Sequence, residues 1–152
     1  ESVDILVIAG IGGELIIYIL AAGQQQIAEV KRLVLQAKVD EPKLRQWLNR
    51  NNWEIVDETV VKDKRHFYDI IVAERATRGL TPLSQLEYFL GPANLKKREP
   101  VFREKWELAL AKRKKILSEL KMGRFTINNW RRRREATKEY RLIIKALKLL
   151  NS

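Results

Sequence analysis

Three glycines follow an apolar run near the start of the chain and could admit a ligand to the backbone. The run "VDILVIAG" (residues 3–10) reaches Gly10, Gly12 and Gly13 within four positions and continues as an apolar helical pattern. In open α/β sheets, ligands bind beyond the carboxyl ends of the strands, where backbone amides can lie against a flat or anionic group. A tight strand-to-helix turn would use the same residues, so spacing alone leaves both interpretations open.

Two runs of basic residues, "KRKK" (Lys112–Lys115) and "RRRR" (Arg131–Arg134), give the second chemical signal. Residues 1–95 carry 11 basic and 13 acidic side chains, whereas residues 96–152 carry 19 and 6, a net charge of +13. Such a field attracts polyanions, with nucleic acid or an anionic membrane surface as the usual partners. Four consecutive cations cover every side of a helix, so some can face a phosphate backbone. A solvated helix surface is the alternative, but this charge density favours RNA contact.

Several kinds of chemistry are excluded or disfavoured by composition. The chain has no cysteine, which removes disulfides, thiolate catalysis and cysteine-based metal sites, and His66 alone is too few for a histidine-rich site. Asp57 and Glu58 point to opposite faces of a strand and make a poor acid/base pair. The tryptophans could stack on bases, but their spacing favours core or hairpin packing; they are Trp47, Trp53, Trp106 and Trp130. No metal site is predicted.

Strand and helix patterns alternate along the first half of the chain. The apolar run 3–10 predicts a central parallel strand covered on both faces. A helix ending at Gly23, a strand at residues 32–36 and a helix capped by Asp40 follow, and then two alternating segments around "KDKR" predict an antiparallel hairpin. This order predicts an α/β fold, the second half of a doubly wound nucleotide-binding sheet with parallel strands plus a hairpin.

Helical patterns dominate the rest of the chain. Thr81 and Pro82 begin a short helix that "GP" (residues 91–92) closes. Two long patterns, Pro100–Lys121 and Thr126–Leu150, carry apolar stripes that include Ile127 and Trp130, and they predict an antiparallel coiled-coil hairpin. The predicted domains are an α/β part at 1–79, a connecting segment with a short helix at 80–98, and a basic helical hairpin at 99–152.

Residues 3–22 are the only candidate membrane span in the sequence. Asp4, Glu14 and three glycines interrupt the segment, so it is interpreted as a buried strand and helix. It also lacks the features of a signal peptide, and we expect a cytoplasmic protein with no membrane partner. The chain opens at Glu1 without a methionine and enters the strand within two residues, which suggests that something upstream has been left out.

Several phrases in order carry a family resemblance: "VDILVIAGIGGELIIYIL", "RLVLQ", "LRQWLNRNNWEIVDE", "YDIIVAE", "LTPLSQLEYFLGP" and "VFREKW". Over roughly residues 1–121, the chain resembles the later part of the bacterial tRNA adenine-N1 methyltransferases that modify position 22. Those enzymes have a Rossmann-like, S-adenosylmethionine-dependent catalytic domain followed by a helical coiled-coil domain. The resemblance implies a tRNA methyltransferase that is represented here without its N-terminal, donor-binding half.

The resemblance also implies site residues. Gly10, Ile11, Gly12, Gly13 and Gln36 would line the reaction site, and Ala9 and Gly10 would contact S-adenosylmethionine. "LQAK" departs from the family phrase, because Ala37 and Lys38 replace the usual proline or serine and asparagine. Adenine N1 would attack the sulfonium methyl in line, so catalysis would rest on positioning and would need no acid or base at a fixed spacing. The candidate RNA-binding residues are Lys38, Lys112, Arg113, Lys114, Lys115, Lys121, Arg124, Arg131, Arg132, Arg133 and Arg134.

Without the family's N-terminal half, the first strand would present an unpaired apolar edge and the chain alone would bind the methyl donor poorly. An N-terminal half or another polypeptide would then complete the sheet. Two other functions remain open from the sequence. A non-catalytic RNA-binding or assembly module would use the basic hairpin alone, and a membrane-surface or partner-binding helical module would use the same charge differently.

Overall fold

The computed structural model describes residues 3–152, so Glu1 and Ser2, at the start of the first predicted domain, lie outside the described residues. The chain forms two compact units, one that ends at Lys97 and one that spans Arg98–Ser152. The segment 80–97, predicted as part of a connection, therefore clusters with the first unit. None of the described helices combines the length and apolar content that a membrane span requires.

Residues 3–97 of the first unit contain four strands and four helices, and all of them except the last helix follow the order that the sequence patterns predict. The strands are β1 Ile5–Ile11, β2 Arg32–Ala37, β3 Trp53–Asp63 and β4 His66–Arg75, and the helices are α1 Gly13–Ala22, α2 Glu41–Arg50, α3 Gln85–Leu90 and α4 Pro92–Lys97. Helix α4 was not predicted, because "GP" was interpreted only as the end of a helix. Gly91 does end α3, with a φ of 99°, but Pro92 fits the first turn of the next helix.

The four strands form one mixed sheet in the order β1-β2-β4-β3. β1 and β2 are parallel, and β4 pairs antiparallel with both β2 and β3. The predicted combination of parallel strands and an antiparallel hairpin is confirmed.

One face of the sheet carries the core of the first unit. Side chains that share a face by register, such as Leu35 and Ile71, are fully buried. Helices α1 and α2 cover this face, and they contribute Ile16 and Leu44 to the core. Each of these residues is part of a set of apolar residues with helical spacing. Trp53 is also buried here, which confirms its predicted packing role.

Strand β1 lies at an edge of the sheet rather than at its centre. Leu6 and Ile8 pack against the core, but Ile5 and Val7 on the other face are 52% and 64% exposed. The prediction that both faces of this strand are covered is therefore wrong for this chain. Its physical reason is that β1 pairs only with β2 among the described residues. Within the described part of the chain, the outer edge of β1 has no strand partner.

A buried ion pair joins α2 to β3 and to the junction of α3 and α4. Arg45 and Glu58 are 1% and 0% exposed, and Arg45 Nε donates to Glu58 Oε1 at 2.7 Å. The Arg45 guanidinium also donates to the main-chain carbonyl of Tyr88 at 3.0 Å, and Glu58 Oε2 accepts from the N–H of Ala93 at 3.0 Å. Asp57 is exposed, so the predicted opposite orientation of the two neighbouring carboxylates is confirmed.

The second unit is an antiparallel helical hairpin of α5 (Pro100–Met122) and α6 (Ile127–Leu150). Arg103 near the start of α5 donates to the carbonyl of Leu150 at the end of α6 at 2.8 Å, and Trp106 is buried as predicted. No residue from 107 to 135 is buried. Ile127 and Trp130 are 71% and 49% exposed, so their predicted place in a packed stripe is wrong. An apolar stripe has the same helical spacing in the sequence whether its face is packed or exposed. In this hairpin, the buried packing between α5 and α6 ends before the connection that joins the two helices.

Candidate functional site

The carboxyl ends of β1 and β2 meet at one edge of the sheet, and Gly10 lies there in a β-bulge. Ala9 pairs with Gln36 and Ile11 with Ala37, so Gly10 is an extra residue between two pairs. Its φ of 81° favours glycine. Apart from Gly10 itself and its two chain neighbours, a Cβ atom at this position would meet no atom within 4 Å. The backbone of Gly10 therefore borders open space.

The side chain of Gln36 completes this bulge. The backbone N–H of Gly10 donates to Gln36 Oε1 at 2.8 Å, and Gln36 Nε2 donates to the carbonyl of Ala37 at 3.1 Å. Both contacts hold the amide plane of Gln36 across the ends of the two strands. The N–H of Gly10 is therefore used by the protein itself.

The other two glycines serve a different need. Gly13 is buried, its N–H donates to the carbonyl of Val39 at 2.9 Å, and a Cβ atom there would lie 2.6 Å from the carbonyl oxygen of Asp40. Gly12 has an ordinary extended backbone. A Cβ atom added to Gly12 would lie 3.6 Å from a methyl group of Val39. The loop after β2, rather than a ligand, fills the space at Gly13.

Helices α1 and α2 begin at the same edge, and their first turns are joined by an ion pair between Glu14 and Lys43. The Lys43 hydrogen bond lowers the pKa of the Glu14 carboxyl, and the reciprocal hydrogen bond raises the pKa of the Lys43 amine. Asp40 occupies the predicted N-cap position, but its φ is 64° and its side chain makes no capping hydrogen bond. The predicted capping role of Asp40 is therefore wrong, because the left-handed backbone serves the tight approach to Gly13.

The structure brings the predicted reaction-site residues together at this edge. Ala9 and Gly10 are exposed, whereas Ile11, Gly12 and Gln36 are half-buried. Lys38 is exposed just beyond β2, and its N–H donates to the carbonyl of Ile11 at 3.0 Å. A Cβ added at Gly10 meets nothing within 4 Å beyond its chain neighbours, so the edge has open space in front of this residue. Within residues 3–152, no group of three metal-binding side chains is found.

A separate cleft of about 450 Å³ lies at the opposite end of the sheet. Trp53, at the start of β3, and Arg78 and Thr81, in the segment before α3, are among its lining residues. Trp53 pairs with Arg75 at the end of β4, which is the sheet end remote from Gly10. This cleft was not predicted from the sequence and does not include any predicted site residue.

The predicted RNA-binding cations of the second unit are exposed with one exception. Arg113 is half-buried, and its Nε donates to Glu139 on α6 at 2.9 Å. The charge of Arg113 is thus paired with that of Glu139 between the two helices. The exposed cations are Lys112, Lys114, Lys115, Lys121, Arg124, Arg131, Arg132, Arg133 and Arg134.

Two exposed apolar residues near these cations were missed by the sequence analysis. Phe125 and Met122 are 89% and 88% exposed in the connection between α5 and α6. In the sequence they belong to "MGRF" (residues 122–125), which joins the two long helical patterns. An aromatic residue directly after Arg124 was the signal that could have identified them.

Comparison with known proteins gives consistent matches over both units. The family model "TrmK: tRNA (adenine(22)-N(1))-methyltransferase" matches residues 1–146. A Bacillus subtilis protein named tRNA (adenine(22)-N(1))-methyltransferase is 28% identical over 145 residues, which cover 92% of this chain and 60% of that protein.

Solved structures agree with that match. An uncharacterized protein from Listeria monocytogenes serotype 4b superimposes with a TM-score of 0.90 at 30% identity, over 96% of this chain and 64% of that chain. Streptococcus pneumoniae Sp1610 in complex with S-adenosyl-L-methionine superimposes with a TM-score of 0.79 at 31% identity, over 95% of this chain and 60% of that chain.

The chain spans about three fifths of the length of these relatives. The resemblance found in the sequence is confirmed by the family model and by the fold. The protein described above belongs to the tRNA (adenine(22)-N(1))-methyltransferase family.

Proposed function

We propose that this chain is the later part of a cytoplasmic, S-adenosylmethionine-dependent enzyme that methylates N1 of adenine 22 in tRNA. The observation that carries the proposal is the family match over residues 1–146, which includes both the sheet and the basic hairpin. When bound, S-adenosylmethionine supplies the methyl group. N1 of neutral adenine already carries a lone pair, so no proton has to leave it before the attack.

The chain's own residues would act by positioning. The bulge at Gly10 keeps side chains away from the edge, and the Gln36 side chain fixes the shape of that bulge through its 2.8 Å contact. Holding the nucleophile at a near-attack distance and excluding water can supply most of the acceleration of such a transfer. The absence of a predicted acid/base pair is consistent with this mechanism.

Completion of the sheet is the second part of the proposal. The exposed side chains of Ile5 and Val7 lie on a strand whose outer edge has no partner among the described residues. An unpaired apolar edge readily takes up another strand. We infer that an N-terminal half, in the same or another polypeptide, adds to β1 and provides the main donor-binding loop.

Binding of tRNA is assigned to the exposed cations of the second unit, with a contribution from Lys38 on the first. Residues 96–152 carry the excess of positive charge, and helices of this kind contact the phosphate backbone without reading base edges. Arg113 is the exception, because Glu139 neutralises it.

The test is a methyl-transfer assay on unmodified tRNA, with this chain alone and with the N-terminal part of a family member added. We expect no transfer by the chain alone and N1-methyladenine at position 22 with the added part, as measured by mass spectrometry of digested tRNA. A tRNA with guanine at position 22 is the matched control. Absence of transfer in both cases, together with absence of tRNA binding, would contradict the proposal.

A non-catalytic RNA-binding module is the second candidate. It is favoured by one observation, namely that all the proposed RNA-binding cations except Lys38 belong to the helical unit Arg98–Ser152, which is compact by its own internal contacts. This candidate predicts tight, salt-dependent tRNA binding by the chain and no methyl transfer after the N-terminal part is added.

A further inference from the structure

The connection between the two long helices is both basic and apolar. We define the hairpin tip as residues 120–134, which include six basic side chains and no acidic one. Within it, Met122, Phe125 and Ile127 are 88%, 89% and 71% exposed, and Trp130 is 49% exposed. Exposed apolar clusters next to charged groups often mark an interaction surface.

The backbone of the hairpin tip is held by hydrogen bonds on both sides of Phe125. Asn129 Nδ2 donates to the carbonyl of Arg124 at 2.8 Å, and the Asn129 N–H donates to Thr126 Oγ1 at 3.1 Å. Phe125 is therefore presented to solvent by a fixed turn. A backbone that is already ordered loses less conformational entropy on binding than a mobile connection does.

Trp130 stands one turn into α6 and has a cation beside its ring. The guanidinium carbon of Arg134 lies 5.5 Å from the Trp130 ring centroid. Five of the six cations of the hairpin tip are arginines. Arginine suits nucleic acids, because its planar group both stacks and makes paired hydrogen bonds to phosphate.

We propose that the hairpin tip binds unpaired nucleotides of the tRNA by stacking their bases on Phe125 and Trp130. The neighbouring phosphates are then contacted by Lys121, Arg124 and the run Arg131–Arg134. The proposal rests on the proposed function, since it takes tRNA as the RNA. Aromatic platforms beside a cationic surface are how proteins hold unstacked bases, whereas a continuous duplex hides its base faces. The hairpin tip would thus favour a folded RNA with loops over a plain duplex.

A membrane is the other partner that a basic and aromatic surface could take. A helix that lies on a bilayer needs an apolar face free of charge along its length. Arg131–Arg134 occupy four consecutive positions of α6, all exposed, so charge surrounds the helix directly after Trp130. This arrangement favours RNA over a membrane as the partner of the hairpin tip.

The experiment measures tRNA affinity at several salt concentrations for the full 152-residue chain and four variants. We expect Phe125→Ala and Trp130→Ala each to weaken binding about tenfold, while the dependence on salt stays unchanged, because stacking releases no counterion. Arg132→Ala should instead lower the salt slope by about one. Leu149→Ala, also an exposed apolar residue of α6 but outside the hairpin tip, is the matched control and should bind as the native chain does.

A base-paired RNA of equal length provides the second arm. The native chain should prefer tRNA over this duplex, and the two aromatic variants should lose that preference. Trp130→Phe, which keeps a ring, should retain most of it.

Other outcomes would overturn the inference. If the native chain binds tRNA with a steep salt slope and the aromatic variants bind equally well, stacking is wrong and the proposed function remains with phosphate contacts alone. If the native chain does not bind tRNA, the inference and the RNA-binding part of the proposed function both fail. If the aromatic variants lose binding to phosphatidylserine-containing vesicles and not to tRNA, the hairpin tip is a membrane-contacting surface.

Discussion

The backbone N–H of Gly10 donates to the side-chain oxygen of Gln36 at 2.8 Å, and this contact joins the end of β1 to the end of β2. Gly10 is the extra residue of a bulge, so its N–H is directed to a side chain instead of the regular ladder. The shape of the proposed reaction edge therefore depends on one glutamine.

Substitutions of Gln36 should show whether its side chain positions the Gly10 bulge or contacts the substrate directly. Gln36→Ala leaves the Gly10 N–H without its partner, so we expect a loss of about 1 kcal/mol in the free energy of unfolding. We also expect kcat to fall about tenfold or more with the N-terminal part supplied, because the edge shifts. Gln36→Glu keeps an acceptor oxygen and should retain most of the stability and most of the activity. Equal loss of activity in the two variants with unchanged stability would indicate direct substrate contact instead.

Glu58 should give the first unit a characteristic pH dependence. Burial raises the pKa of its carboxyl above the ordinary 4.5, although the Arg45 charge and two backbone N–H groups oppose the shift. A carboxyl with a raised folded-state pKa holds its proton more tightly when folded. Its contribution to stability is therefore fully present below a pH of about 4.5 and is lost as the pH rises through the pKa of the folded state.

We thus expect the stability of the native chain relative to Glu58→Gln to decrease as the pH rises above 4.5. Urea unfolding at stepped pH measures this difference. Glu54→Gln, at an exposed position on the same strand, is the matched control. A difference that grows with pH would mean that Arg45 dominates over burial.

Much of the fold could be predicted because it depends on local periodicity. The apolar repeat of α2 and the alternation of β3 and β4 are properties of neighbouring residues, and the structure confirms them. The pairing of Arg45 with Glu58 could not be predicted, since neither residue differs locally from an exposed one. The contact forms only because α2 packs beside β3 and the carbonyls of α3 approach the guanidinium.

The candidate site was predictable in place but not in detail. The glycine cluster identified the edge, yet Gly13 makes room for the carbonyl of Asp40, which lies 27 residues further along the chain. Trp130 shows the same limit. Its spacing suits a packed stripe, and only the structure shows that the hairpin leaves it half-exposed.

Two neighbouring cations on α5 should respond differently to substitution. Lys112 is exposed, whereas Arg113 is paired with Glu139 at 2.9 Å. Lys112→Ala should lower the salt slope of tRNA binding by up to about one and leave the unfolding free energy unchanged. Arg113→Ala should leave the slope unchanged and destabilise the hairpin by about 0.5 kcal/mol, the usual size for such a partly exposed pair. The reverse pattern would place Arg113 on the RNA-binding surface.

The glycines at the edge allow a final test of whether a ligand approaches there. Gly12→Ala should change stability by less than about 0.5 kcal/mol, because an ordinary backbone and a 3.6 Å contact accept a methyl group. Gly10→Ala should cost about 1 to 2 kcal/mol, since its φ of 81° strains any other residue.

The activity of Gly10→Ala then decides between the two interpretations that the sequence left open. Its added methyl group meets no atom within 4 Å beyond those of its chain neighbours, so any steric clash would be with a bound group, and the backbone strain is measured separately by the unfolding free energy. We expect kcat/KM for methyl transfer, measured at a temperature where the variant is fully folded and the N-terminal part is supplied, to fall at least about tenfold. An unchanged kcat/KM would mean that Gly10 serves the turn alone. Gly12→Ala controls for any general effect of a methyl group at this edge, because Val39 already covers that position.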